Sequence, residues 1–185
     1  MLTSLHHLLP QDPYHGFMLF PLAVTLWLAW GDLRTRRIPN YLTFGLALAG
    51  FGFQLGWSGV PGLGNAFLGL ATGFGLLIIP YILGGMGAGD VKALAALGAW
   101  LGPYRTMQLF IYMAVAGGLM ALGILLWRGR LWAGIRGSVT LLINGILCRH
   151  LPEPQPEVDP QAKQDAIPYG VALALGMVAL VILGE

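Results

Sequence analysis

The feature that most constrains this chain is a series of long apolar stretches separated by mostly short polar segments. Hydrophobic side chains make up 56% of the residues and charged side chains only 10%, whereas ordinary soluble domains have roughly half and a quarter. The mean hydropathy is correspondingly high, at +0.71. A chain of 185 residues has room for several membrane-spanning helices and little else. We therefore predict a single all-α integral membrane domain over residues 1–185.

Six apolar stretches are candidates for transmembrane helices, because about 20 apolar residues cross the ~30 Å hydrocarbon core of a bilayer. The predicted spans are residues 17–31, 41–57, 63–83, 91–101, 104–127 and 167–183. Pro39 predicts the break before the second span, and a turn at residues 58–62 separates the second and third spans. The fourth stretch would be only about 17 Å long as a helix. We expect a short fourth helix that cannot cross the membrane alone.

The distribution of positive charge decides whether this short fourth segment counts as a crossing. If it does, nine of the ten Lys and Arg residues fall on one side of the membrane, and only Arg105 falls on the other. If it does not, the basic residues after the fifth span lie opposite the first cluster, which breaks the positive-inside rule. We therefore predict six crossings with both termini outside the cytoplasm. Residues 128–166 then form a cytoplasmic loop that includes an amphipathic segment.

Other parts of the sequence argue against several classes of site. The single cysteine, Cys148, allows no internal disulfide and no cysteine-based zinc site. His6, His7 and His15 have no matching acid or cysteine ligand set nearby. The net charge of +2 is too small to indicate a nucleic-acid partner. We therefore predict no metal, no cofactor and no nucleic acid.

Two acids lie at the edges of predicted spans. Asp32 follows the first span, and Asp90 precedes the fourth span at the end of the glycine-rich loop Gly84-Gly85-Met86-Gly87-Ala88-Gly89. An ionisable side chain at the edge of a membrane span is costly, so the default interpretation is a functional site with a partner. In the six-crossing topology both acids lie on the cytoplasmic side. Non-helical backbone at that depth must be buried in protein or line a watery cavity, so we predict a wet notch that holds both carboxylates.

A pair of carboxylates in such a notch has a definite chemistry. Two neighbouring carboxylates share a proton and titrate as a pair. The charged member can take a proton from water, while the neutral member polarises a carbonyl and later protonates the leaving amine. This is aspartic peptide hydrolysis, with Asp32 and Asp90 as the candidate catalytic residues. Gly87 and Gly89 would allow close approach of a substrate backbone, and Lys92 could stabilise the ionised pair or contact the substrate.

Several other interpretations are compatible with the same residues. Asp90 is well placed to cap the fourth helix, and Lys92 could instead extend to lipid phosphates. A phosphate-binding loop would need a Gly-Lys-Ser/Thr ending and a preceding strand, which are missing. A small proton-coupled transporter could use the two aspartates, but both lie on one side and no inverted repeat is visible. A non-catalytic assembly subunit would leave the cost of two membrane-edge acids unexplained.

Three motifs together carry a family resemblance. Residues 87–90, Gly-Ala-Gly-Asp, resemble the Gly-x-Gly-Asp motif of intramembrane aspartyl proteases, and residues 84–92 are similar to the same region of type IV prepilin peptidases. Asp32 followed by Arg37-Ile38-Pro39-Asn40 resembles the first-aspartate region of that family, and residues 167–172 resemble the entry to its last helix. The resemblance implies cleavage of prepilin leaders at the cytoplasmic face of the bacterial inner membrane. Asp32 and Asp90 correspond to the catalytic pair of the family.

The departures from the family pattern also carry an implication. Longer members have an additional cytoplasmic domain with paired Cys-x-x-Cys motifs and N-methylate the new terminus. No such domain lies before Asp32 or between it and the second span, and Cys148 is the only cysteine. The resemblance therefore implies a peptidase without N-methyltransferase activity, similar to the branch that serves tight-adherence (Flp-type) pili. The implied partners are prepilin or pseudopilin substrates and the lipid bilayer.

Overall fold

The computed structural model describes residues 13–35, 39–83, 85–127 and 169–183. These residues form helices, without any strand in the described ranges, which confirms the all-α prediction for them. The helices are α1 (Pro13–Thr35), α2 (Asn40–Ile82), α3 (Ala88–Trp127) and α4 (Tyr169–Leu183). The predictions made for the segment before Pro13, for Gly84 and for the loop at residues 128–166 lie outside the described residues.

Two of these helices are broken by a glycine. Gly59 in α2 has φ 64° and ψ −147°, and Gly102 in α3 has φ 76° and ψ 172°. Glycine adopts positive φ without a steric penalty, and the prolines that follow are tolerated in the first turn of the next segment. Each long helix therefore has two arms, at residues 40–58 and 60–82 in α2 and at residues 88–101 and 103–127 in α3. The predicted turn at residues 58–62 is reduced to a single break.

The contacts between α2 and α3 show that the break in α2 reverses the chain. In the first arm of α2, Asn40 lies beside Lys92, and Gly50 lies beside Trp100. Residue numbers increase together in these two pairs, so the first arm of α2 runs parallel to α3. In the second arm the order is inverted. Asn65 lies beside Gly102, Gly69 beside Gly98 and Gly73 beside Leu94. The two arms of α2 therefore pack against the first arm of α3 in opposite directions.

The first arm of α3 is the centre of the bundle. Its side chains from Ala93 to Ala99 are almost completely buried. Around it, α1, α2 and the second arm of α3 expose many large apolar side chains, such as Phe44, Phe67 and Leu119. Apolar surface of this extent is typical of a membrane or interaction surface. The segment predicted to be too short to cross alone is therefore enclosed by the other helices.

Glycines allow the central arm to pack at backbone distance. A Cβ added at Gly69 would collide with the carbonyl group of Gly98, and a Cβ added at Gly98 would collide with that of Gly69. A Cβ at Gly73 would lie 2.5 Å from the carbonyl oxygen of Leu94, and one at Gly50 would lie 2.7 Å from the backbone nitrogen of Trp100. Small residues permit this close approach of helices in membranes. This packing fixes the position of the first arm of α3, which carries Asp90 in its first turn.

By length and composition, α2 and α3 are apolar enough to cross a membrane, and α4 is a shorter apolar helix. Within the described residues this criterion identifies two candidate spans. The helices alone therefore support a membrane protein without establishing six crossings, and the count of six stays a prediction.

Candidate active site

The two predicted acids meet at one end of the bundle. Asp32 lies in the last turn of α1, and Asp90 lies in the first turn of α3. Both residues are buried, each with 9% of its surface exposed. Their carboxylates are close enough to interact electrostatically. The structure therefore brings together two acids from separate parts of the sequence.

Asp32 is held by the beginning of α4. The backbone N–H of Gly170 donates a hydrogen bond of 2.9 Å to Oδ2 of Asp32. The first N–H groups of a helix have no partner within the helix, and the positive end of the helix dipole favours a negative charge at this place. The hydrogen bond from Gly170 thus orients the Asp32 carboxylate through Oδ2.

The close contact between α1 and α4 requires glycine at position 170. A Cβ added there would lie 2.8 Å from Cβ and 2.9 Å from Oδ2 of Asp32. Real Cβ atoms do not approach other atoms this closely, so a larger residue would displace α4 or turn the carboxylate away. Gly170 therefore supplies both the hydrogen-bond donor and the space for Asp32.

Asp90 is positioned by the turn that starts α3. Its backbone N–H donates to the carbonyl oxygen of Gly87 at 3.1 Å. A Cβ added at Gly87 would lie 3.2 Å from Oδ2 of Asp90, which is a tight contact. Among the described glycines, positive φ occurs only at Gly59 and Gly102. The lack of a side chain at Gly87 therefore leaves space for the Asp90 carboxylate. The backbone of Gly87 does not adopt positive φ.

The first two residues of α4 connect the acids. Tyr169 is half-buried and interacts electrostatically with Asp90, while Gly170 contacts Asp32. In the sequence, these residues had significance only as part of the last-helix motif at 167–172, and no site role was predicted for them. That motif was the one signal that could have identified them.

The other predicted site residues lie around the acids in different ways. Gly89 is half-buried in the first turn of α3. Lys92 is exposed, and its Nζ donates a hydrogen bond of 3.0 Å to Oδ1 of Asn40, at the start of α2. This bond joins the beginnings of α2 and α3. A contact of Lys92 or Gly89 with substrate stays a prediction.

The chemistry available at this site is that of two carboxylates. Within residues 13–35, 39–83, 85–127 and 169–183, no group of three or more His, Cys, Asp and Glu side chains is arranged to hold a metal ion. Two buried carboxylates that interact with each other can share one proton. One can then act as a general base toward water while the other donates a proton.

The region that contains both acids matches a known protein family. Residues 19–122 match the type IV leader peptidase family. The prepilin leader peptidase/N-methyltransferase of Burkholderia pseudomallei (strain 1026b) is 37% identical over 107 residues, which cover 54% of this chain and 34% of that protein. The protein of the same name from Aeromonas hydrophila is 36% identical over 112 residues, which cover 57% and 38%.

A third relative, again a prepilin leader peptidase/N-methyltransferase, comes from Escherichia coli (strain K12). It is 34% identical over 110 residues, which cover 56% of this chain and 47% of that protein. The matched region thus makes up between about a third and a half of the length of these relatives. No solved structure matches the chain significantly. Because the family match extends over more than half of the sequence and includes Asp32 and Asp90, this chain belongs to the type IV leader peptidase family.

Proposed function

We propose that this protein is an intramembrane aspartyl endopeptidase that removes the leader peptide from prepilin-like substrates. The observation that carries the proposal is the buried pair of carboxylates, Asp32 and Asp90, within the region that matches the family. Burial of two interacting acids is costly, so their presence points to catalysis. The relatives named prepilin leader peptidase/N-methyltransferase supply the substrate class.

In the proposed mechanism the two acids have different roles. Asp32 is the ionised base, because its carboxylate accepts a hydrogen bond at the positive end of α4. It takes a proton from a water molecule, whose oxygen attacks the carbonyl carbon of the scissile peptide bond. Asp90 carries the shared proton and gives it to the carbonyl oxygen, which forms a tetrahedral diol. Asp32 then returns its proton to the amide nitrogen, the C–N bond breaks, and a diol proton passes back to Asp90.

We also propose six membrane crossings, with the carboxylate pair at the cytoplasmic face of the bacterial inner membrane and both termini on the periplasmic side. The breaks at Gly59 and Gly102 divide α2 and α3 into four arms, and α1 and α4 complete a set of six helical segments. The end of α1 and the starts of α3 and α4 lie together at the acids. In this arrangement nine of the ten Lys and Arg residues lie on the side of the acids.

Cysteine labelling tests this topology. In a Cys148→Ser background, we expect Ser58→Cys to react with a membrane-impermeant thiol reagent in intact spheroplasts. Gly85→Cys should react only after the membrane is permeabilised. Labelling of both positions from the same side would contradict six crossings.

The substrate branch and the lack of methylation are finer parts of the proposal. The sequence contains one cysteine, Cys148, and so cannot supply paired Cys-x-x-Cys motifs. We therefore propose cleavage of Flp-type prepilins without N-methylation. Incubation with S-adenosylmethionine should leave the mass of the cleaved product unchanged, and a product heavier by one methyl group would refute this part.

The cleavage assay tests the activity itself. Purified protein in liposomes is incubated with a Flp-type prepilin, and the product masses are measured for the wild type, Asp32→Asn and Asp90→Asn. Asp159→Asn serves as a control, since it makes the same chemical change at an acid of the 128–166 loop. We expect one cut before the apolar segment for the wild type and the control, and none for the two site variants.

The possible outcomes separate the mechanism from the function. Retained cleavage by either site variant would overturn the carboxylate-pair mechanism. Failure of the wild type to cleave several such prepilins would overturn the peptidase function and favour the proton-coupled transporter.

A further inference from the structure

An apolar groove of about 280 Å³ lies between the end of α2, the second arm of α3 and the start of α4. Its wall on α3 extends from Phe110 to Ala121, and Pro80 and Leu77 form the wall on α2. None of the described residues that line it is charged. Among them, Tyr169 alone carries a polar side-chain group, its hydroxyl.

This groove lies next to the candidate active site, although neither acid lines it. Met86, which lines the groove, belongs to the glycine-rich loop that leads into Asp90. Tyr169 also lines the groove and interacts electrostatically with Asp90. The polar group of the described lining therefore lies on the side of the groove near Asp90. From there the groove extends along apolar side chains.

The shape of the groove fits one face of a helix. The wall from Phe110 to Ala121 is about 17 Å long, or three helical turns. Its small residues recur at intervals of three or four, at Ala114, Gly117, Gly118 and Ala121, and such residues let a second helix approach closely in a membrane. The groove therefore suits the side chains of an apolar helix.

We propose that this groove binds the first turns of the apolar helix of the substrate and thereby places the preceding peptide bond at Asp32 and Asp90. The inference rests on the proposed function, in which the cut lies directly before that helix. A substrate with an apolar helix on one side of the cut requires an apolar surface on only one side of the acids. The groove is such a surface, and Tyr169 in its lining interacts electrostatically with Asp90.

Two glycines of α3 provide a matched pair of variants. A Cβ added at Gly118 or at Gly123 would meet nothing within 4 Å. Gly118 lines the groove, whereas Gly123 lies further along the same arm and is not in the lining. A β-carbon at either position thus meets no described atom, and both positions are exposed. Leucine at position 118 fills space that the substrate helix would need.

The test is the cleavage of a full-length Flp-type prepilin by Gly118→Leu and Gly123→Leu. We expect Gly118→Leu to raise KM about tenfold or more, the effect of losing a well-packed contact, with kcat close to that of the wild type. Gly123→Leu should match the wild type in both constants. Equal kinetics of the two variants would overturn the proposal, and so would a loss confined to kcat, which would indicate a disturbed carboxylate pair.

Cross-linking provides a readout that does not depend on turnover. In a Cys148→Ser background, Gly118→Cys and Gly123→Cys are oxidised in the presence of a prepilin with one cysteine in the first three turns of its apolar helix. We expect a disulfide-linked product with Gly118→Cys and little with Gly123→Cys. Equal yields, or no product, would show that lipid and not substrate occupies the groove. If the wild type cleaves no prepilin, the proposed function fails. If it does cleave and the glycine variants do not differ, only the groove assignment fails.

Discussion

The contact between Gly170 and Asp32 should be needed for full cleavage activity. A methyl group at position 170 would lie 2.8 Å from Cβ and 2.9 Å from Oδ2 of Asp32. The chain can relieve this overlap by turning the carboxylate away or by moving the start of α4. Either response lengthens or breaks the hydrogen bond that orients Asp32. We therefore predict that Gly170→Ala loses activity.

The magnitude follows from the contact that is lost. A hydrogen bond to a charged group contributes about 1.5–3 kcal/mol, and each 1.36 kcal/mol changes a rate by about tenfold. If the bond is needed in the transition state, kcat should fall by roughly 10- to 150-fold. The added volume also costs about 1–3 kcal/mol of folding stability, so the unfolding temperature should fall as well.

The assay compares Gly170→Ala with Gly31→Ala on the same prepilin. Gly31 precedes Asp32 in α1, and a Cβ there would meet nothing within 4 Å. Product formation is measured by mass spectrometry. The unfolding temperature of each detergent-solubilised protein is measured as well. We expect Gly31→Ala to keep near wild-type activity. Folded Gly170→Ala with the same kcat as Gly31→Ala would refute the argument that α4 orients Asp32.

Two further predictions concern contacts away from the carboxylates. Gly98→Ala should lower the unfolding temperature, because the new Cβ collides with the carbonyl group of Gly69 and overpacking costs about 1–3 kcal/mol. Gly52→Ala, where a Cβ meets nothing within 4 Å, is its control, and equal unfolding temperatures would contradict the prediction. If Lys92 binds substrate, Lys92→Met should raise KM more than Asn40→Ala, since both variants remove the same hydrogen bond. Equal KM values would leave Lys92 as a structural residue.

The meeting of the two acids could be predicted because it depends on local features of the sequence. Apolar stretches identify the helices, and the position of Arg105 relative to the other basic residues indicates which ends share a side. Once that side is chosen, Asp32 and Asp90 fall at the same end of the bundle. The structure confirms this proximity. The breaks at Gly59 and Gly102 likewise lie within or beside the turns predicted from Gly and Pro.

Contacts between distant helices could not be predicted in the same way. The role of Gly170 depends on α4 packing against the end of α1, and the apolar sequences of the two helices do not specify that pairing. Gly87 was predicted to allow close approach of a substrate backbone. The structure adds a second reason for a small residue, because a Cβ there would lie 3.2 Å from Oδ2 of Asp90. The bond between Lys92 and Asn40 joins residues that no local pattern connects.

The way the acids are held makes helix packing, rather than the glycine-rich loop alone, the determinant of the site. Asp32 depends on α1 and α4, and Asp90 depends on the central arm of α3, which packs on α2 through Gly69 and Gly98. Groups placed on packed helices are held more rigidly than groups on loops. Gly98→Ala should therefore reduce stability and activity together. The kcat of Gly170→Ala should fall further than its loss of stability explains, since Gly170 contacts the carboxylate itself.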